Sequence, residues 1–130
     1  MNNMVTGIEH VGIYAKQSKA LADWYVHMFD GKIVYENAAK GTYFVAFTDG
    51  SMIEICKSEA DGDAAAMTDA GIRHLALTVD DFEAFVEKIR AEKLEILADA
   101  KVAPNGVKTI FFRDIAGNIL HLISRPQPLV

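Results

Sequence analysis

With 130 residues, 51% hydrophobic and 24% charged, the chain has the make-up of a single globular domain with one substantial core and no polar low-complexity segment. A formal net charge of −5 without a basic stripe excludes phosphate-neutralising nucleic-acid binding and disfavours anionic membrane surfaces. No apolar run approaches the roughly 20 residues that cross a bilayer; Met1-Asn2-Asn3-Met4 has no leader character, and the lone Cys56 allows neither an intramolecular disulfide nor a cysteine-based zinc site, so the expected compartment is the cytoplasm.

In chain order, residues 5–15 read as a strand, with Val11 and Ile13 on one side and Ile8, Gly12 and Tyr14 on the other. Ser18 offers a helix N-cap, and Leu21, Trp24, Tyr25 and Met28 follow at i, i+3, i+4, i+7 as an apolar stripe suited to covering a sheet. Asp30-Gly31 is the expected stop, glycine being the residue that most easily takes a left-handed C-cap. Three shorter strands follow, Lys32–Glu36, Tyr43–Thr48 and Ser51–Lys57, separated by the turns Lys40-Gly41 and Asp49-Gly50. This is a β-α-β-β-β module over about residues 5–57.

Residues 58–70 are small, polar and Ala-rich, and read as a linker with room for a helical turn. The same order then returns over about residues 71–125. A strand runs from Gly71 to Val79, and Asp80-Asp81-Phe82-Glu83 opens a helix as a capping box. Phe82, Phe85, Val86 and Ile89 repeat the i, i+3, i+4, i+7 stripe. Strands near Leu94–Ala98, Val107–Phe112 and Asn118–Ser124 complete the module, with Pro104-Asn105-Gly106 as a turn, and the Arg125-Pro126-Gln127-Pro128 tail ends the ladder. The fold class is therefore α+β, two modules sharing one 130-residue domain.

The duplication brings chemistry into register. Gly7-Ile8-Glu9-His10-Val11-Gly12-Ile13 returns as Gly71-Ile72-Arg73-His74-Leu75-Ala76-Leu77, which places His10 and His74 at equivalent positions. Four residues after the turn glycines Gly50 and Gly117 stand Glu54 and His121, each inside an apolar strand: Glu54 between Ile53 and Ile55, His121 between Leu120 and Leu122. A carboxylate on an apolar surface is costly unless paired or bound to a metal. A single histidine in a strand is more often a packed or hydrogen-bonded residue than a ligand. Three of the four histidines, however, fall on these symmetric positions and a glutamate fills the remaining one, so His10, Glu54, His74 and His121 read together as a divalent-metal site. Imidazole and carboxylate donors suit Zn²⁺, Ni²⁺, Fe²⁺ or Mn²⁺ and can leave coordination positions open for catalysis.

Other residues read as packing or surface. His27 is on the flank of the first helix, Trp24 and Tyr25 are core by spacing, and Cys56 is a small buried hydrophobe on the Glu54 face. Arg73 and Arg113 are weak candidates for binding an anionic substrate. There is no phosphate-binding glycine loop and no CxxC motif.

The GIEHV and GIRHL segments, the Asp49–Glu54 end of the first module and Phe111–His121 resemble the vicinal oxygen chelate superfamily, which includes glyoxalase I, over nearly the whole chain. The resemblance implies an eight-stranded, incompletely closed mixed β-sheet barrel with helices outside, built around a divalent metal and often in a homodimer. It assigns His10, His74 and Glu54 to ligand positions. His121 departs from it, since glyoxalase I-like members generally carry there a glutamate that ligates the metal and moves the substrate proton. A metal-bound neutral imidazole has no free lone pair to accept a proton. His121 would have to detach to act as the base, and Glu54 is the better candidate.

Three functions are consistent with this sequence. The first is a glyoxalase-like lyase or isomerase, in which a small oxygenated substrate chelates the metal and an enediolate-like intermediate is stabilised. The second is a metal-free small-molecule binding or resistance protein of the same fold. The third is an Fe²⁺ dioxygenase-like activity using His10, His74 and Glu54 as two histidines and a carboxylate. All three imply a small-molecule partner, and none implies nucleic acid or membrane.

Overall fold

The computed structural model describes residues 4–62 and 65–130. The first three residues and residues 63–64, in the middle of the expected linker, lie outside the described set. The chain divides into two compact units, Met1–Gly62 and Asp63–Val130. The first contains β1 (His10–Ala15), α1 (Ser18–Phe29), β2 (Lys32–Asn37), β3 (Thr42–Ala46) and β4 (Met52–Lys57); the second contains β5 (Leu75–Thr78), α2 (Phe82–Ala91), β6 (Ile96–Val102), β7 (Lys108–Arg113) and β8 (Ile119–Ser124). Both modules thus have the β-α-β-β-β order expected from the sequence.

Each unit forms its own four-stranded sheet, in the order β1-β4-β3-β2 and β5-β8-β7-β6. The first strand of each module pairs parallel with the last and the remaining pairs are antiparallel, so both sheets are mixed and neither closes into a barrel. Among the described residues no helix is long and apolar enough to cross a membrane.

Alternation along the strands decides what faces the helices. In the first unit Ile13, Ala15, Tyr43, Val45, Ile53 and Ile55 are buried, and α1 packs on this sheet through Leu21, Ala22, Trp24, Tyr25 and Met28. The stripe read from the sequence is this contact. In the second unit Phe82, Val86 and Ile89 of α2 are buried, α2 packs against β8, and Ile110, Phe112, Leu120 and Leu122 have no accessible surface. Residues of intervening parity, including Glu54 and His121, are left for the opposite faces.

Several boundaries differ from those expected, for physical reasons. β1 and β5 begin at His10 and Leu75 instead of near residues 5 and 71: β1 starts where β4 itself starts, His10 opposite Met52, and the β5–β8 ladder starts at Leu75 opposite Leu120. β6 extends to Val102 through two register irregularities, which hide its period from a sequence reading. Gln17, not Ser18, is the N-cap of α1, and it makes no side-chain cap. The α2 cap is Asp81, whose Oδ1 accepts from the Ala84 N–H at 3.1 Å, a single cap instead of the capping box from Asp80. In the linker, the described residues show turns, with the Asp69 N–H donating to the Ala66 carbonyl.

The end of α1 corrects the role of Gly31. The left-handed residue is Asp30, at φ 54°. Gly31 is needed for a different reason: a Cβ there would lie 2.6 Å from Cγ1 of Val45, so glycine lets the chain pass directly beneath the helix end onto β3.

Candidate functional site

The turns that lead into β4 and β8 set the positions of Glu54 and His121. Gly50 and Gly117 both take positive φ, 88° and 94°. Asp49 accepts from the Ser51 N–H and hydroxyl, at 3.0 and 2.6 Å, and these bonds hold its carboxyl below the usual carboxylate range. In the second turn the buried Asp114 accepts from the backbone N–H groups of Ala116 and Asn118, each at 2.9 Å. Tight turns with equal offsets put Glu54 and His121 at equivalent strand positions, as the sequence indicated.

Register then determines their neighbours. Across the parallel β1–β4 pair His10 stands opposite Met52 and Gly12 opposite Glu54; across β5–β8 Ala76 stands opposite His121. The residue facing Glu54 is therefore glycine, and the one facing His121 is alanine. A Cβ built on Gly12 would be 3.9 Å from Glu54 Oε1, so any longer side chain would crowd the carboxylate.

In the first unit His10 and Glu54 meet. His10 Nε2 lies 3.6 Å from Glu54 Oε1, and His10 Nδ1 lies 2.6 Å from Glu9 Oε1. An ionised carboxylate can only accept, so in a neutral His10 the bond to Glu9 places the imidazole proton on Nδ1 and leaves a lone pair on Nε2 facing Glu54. Two acceptors facing one another require a cation or a second proton between them. Ligands about 2.1 Å from a common ion stand about 3.0–3.4 Å apart at octahedral to tetrahedral angles, so the 3.6 Å separation fits two donors to one ion with a small closure. The His10 ring is braced edge-on by Phe44, with centroids 5.2 Å apart.

In the second unit His74 and His121 meet edge to face, with ring centroids 5.2 Å apart, and His121 stacks on Phe111 at 4.0 Å. His121 is only 8% exposed. Burial, reinforced by the charges of His74 and Arg125, pulls its imidazole down to about 4. It is therefore neutral at pH 7, yet both ring nitrogens are buried without a hydrogen-bond partner among the described residues. An idle buried donor or acceptor costs about 1–3 kcal/mol, which a metal bond to one nitrogen would offset. Only His10 Nε2 and Glu54 Oε1 stand at a separation suited to two donors of one ion, and among the described residues no group of three or more His, Cys, Asp or Glu side chains is arranged to hold one.

The remaining candidates are placed as follows. Cys56 is buried beside Glu54; burial, followed by the Glu54 carboxylate, pushes its thiol up. Tyr14, directly opposite Cys56, is itself raised by the nearby thiol. Arg113 is committed to structure: Nε donates to Glu95 at 2.9 Å, Nη1 to the Gly117 carbonyl at 2.8 Å and Nη2 to the Ala65 carbonyl at 3.0 Å. His27 is exposed in the last turn of α1. Sequence reasoning missed Glu9, because a strand drawn through residues 5–15 puts Glu9 and His10 on opposite faces; the only signal was an acidic residue directly preceding a candidate ligand.

Residues 7–122 match the sequence model of the Glyoxalase/Bleomycin resistance protein/Dioxygenase superfamily. The chain belongs to this superfamily. Among solved structures sharing its fold is TioX from Micromonospora sp. ML1, with 15% identity, a TM-score of 0.71 and coverage of 92% of this chain and 98% of that one. A lactoylglutathione lyase from Agrobacterium tumefaciens has 18% identity and a TM-score of 0.70, with 93% and 95% coverage. A mutant of the fosfomycin resistance protein FosX from Listeria monocytogenes, in complex with Mn(II) and 1S,2S-dihydroxypropylphosphonic acid, has 18% identity and a TM-score of 0.73, with 94% and 92% coverage. At these identities the superfamily structures establish the fold alone. No curated protein matches the chain.

Proposed function

We propose that this superfamily member is a metal-dependent enzyme of the glyoxalase-like type acting on a small oxygenated substrate, with His10, Glu54, His74 and His121 as its divalent-metal donors. The observation that carries this reading is the pair of facing acceptors, His10 Nε2 and Glu54 Oε1 at 3.6 Å, which need positive charge between them. A divalent ion, when bound, supplies a Lewis acid that polarises a carbonyl.

The protein's own part is proton handling and exclusion of water. Glu54 is the only carboxylate of the four, its side chain is 27% exposed, and Gly12 leaves one flank of it open to a substrate. We assign Glu54 as the group that removes and returns the substrate proton. His121, neutral and enclosed by Phe111, contributes a nitrogen donor and keeps water from that side. Zn, Ni, Fe and Mn all suit the donor set, and a homodimer is the expected assembly.

Elemental analysis of untagged protein provides the test: about one divalent ion per chain in the wild type, and none after joint replacement of His10, Glu54, His74 and His121. Glu54→Gln should retain folding and lose turnover by at least about 10²-fold; full turnover in that variant would end the assignment of the base. A second reading, a metal-free binding protein, is favoured by the fact that His10 between Glu9 and Glu54 also suits an imidazolium. Wild-type protein that acquires no ion from any of the four metals would establish it over the first.

A further inference from the structure

We propose that Glu9 is a positioning residue for His10, holding the imidazole in its Nδ1–H tautomer so that the Nε2 lone pair is presented beside Glu54; this rests on the reading of His10 as a metal ligand. The contact is short, 2.6 Å from Nδ1 to Oε1, and lies on the far side of the ring from Glu54. A carboxylate that accepts the second ring N–H fixes both the tautomer and the orientation of a ligating histidine. Glu9 has no packing role to explain its presence, since its side chain is 74% exposed.

The backbone makes the contact possible. Adjacent side chains within a strand point to opposite faces, so Glu9 and His10 would diverge if both belonged to the ladder. β1 begins at His10, with Met52 as its first partner, and Glu9 is free of that constraint.

The second module shows what the position holds otherwise. Arg73 stands there, directly before His74, and a guanidinium has no acceptor to offer an imidazole. Arg73 instead folds back over Gly71, where a Cβ would meet its Nη2 at 3.2 Å, and its Nε is buried without a hydrogen-bond partner among the described residues. The orienting device therefore belongs to one module alone, and the two histidines that repeat in sequence are not equivalent as donors.

The test uses Glu9→Ala and Glu9→Gln in the full chain. In metal-free protein about two pH units above the ordinary imidazole value, ¹⁵N spectra should show wild-type His10 protonated at Nδ1. Glu9→Ala should move it towards the Nε2–H form that free side chains favour, and Glu9→Gln, which keeps an acceptor oxygen, should restore Nδ1–H. Zn²⁺ affinity, measured by competition with a chromophoric chelator, should fall about 10–100-fold in Glu9→Ala and less in Glu9→Gln. An unmoved tautomer with zinc binding intact overturns the role of Glu9 alone. Failure of the wild-type protein to bind zinc overturns the ligand reading of His10, and with it the purpose assigned to Glu9.

Discussion

His121 gives the sharpest quantitative expectation. In the unfolded chain its imidazole takes a proton near the usual value of 6.5, whereas in the fold it does so only at about 4. Between those values the unfolded state holds the extra proton, so stability contributed by neutral His121 is complete above 6.5 and is lost as pH falls towards 4. At about 1.36 kcal/mol per unit, the wild type should lose about 2 kcal/mol through this residue between pH 8 and pH 5, and about 3 kcal/mol below pH 4. His121→Leu removes the titration while filling similar space between Phe111 and the strand neighbours, so its profile should lack this slope. At pH 8 it should also be at least as stable as the wild type, because two buried nitrogens without partners disappear. The assay is urea unfolding of metal-free protein with a chelator present, at half-unit pH intervals, read as the difference between the two chains. Other histidines and carboxylates cancel in that difference. Parallel profiles between pH 8 and pH 5 would refute the buried, neutral, unpartnered state of His121, and with it the argument that this nitrogen is kept available for a ligand.

Two further outcomes follow from packing. Gly31→Ala places a methyl 2.6 Å from Cγ1 of Val45 and should cost about 1–3 kcal/mol in urea unfolding; an unchanged midpoint would show that the helix end can shift away from β3 without cost. Cys56, buried and with its thiol raised, should react with a disulfide reagent at least about tenfold more slowly in the folded protein than in urea, and equal rates would contradict its enclosure.

Much of this molecule was legible from residue spacing alone. Hydrophobic period 2 in the strands, the i, i+3, i+4, i+7 stripes beginning at Leu21 and Phe82, and the turn glycines pointed to the repeated β-α-β-β-β order, and Trp24 and Tyr25 are buried as their spacing required. The sequence also put Glu54 between Ile53 and Ile55 and His121 between Leu120 and Leu122, and in the fold those flanking residues are the more deeply buried ones, because alternation is a local property of a strand. Strand ends were less legible: a ladder stops where its partner stops, so the start of β1 depends on β4, some forty residues away in sequence.

Tertiary structure decided the pairings on which the chemistry depends. That His10 meets Glu54 follows from a parallel register between the first and last strands of a module, which no local pattern encodes. That Glu9 reaches His10 follows from β1 starting one residue later than Glu9, and that Arg113 is a structural tie follows from carbonyls and a carboxylate brought to it by separate segments. The sequence determined which donors repeat, since residue type and period are written along the chain. Only folding decided which atoms face them, since that depends on register between segments distant in sequence.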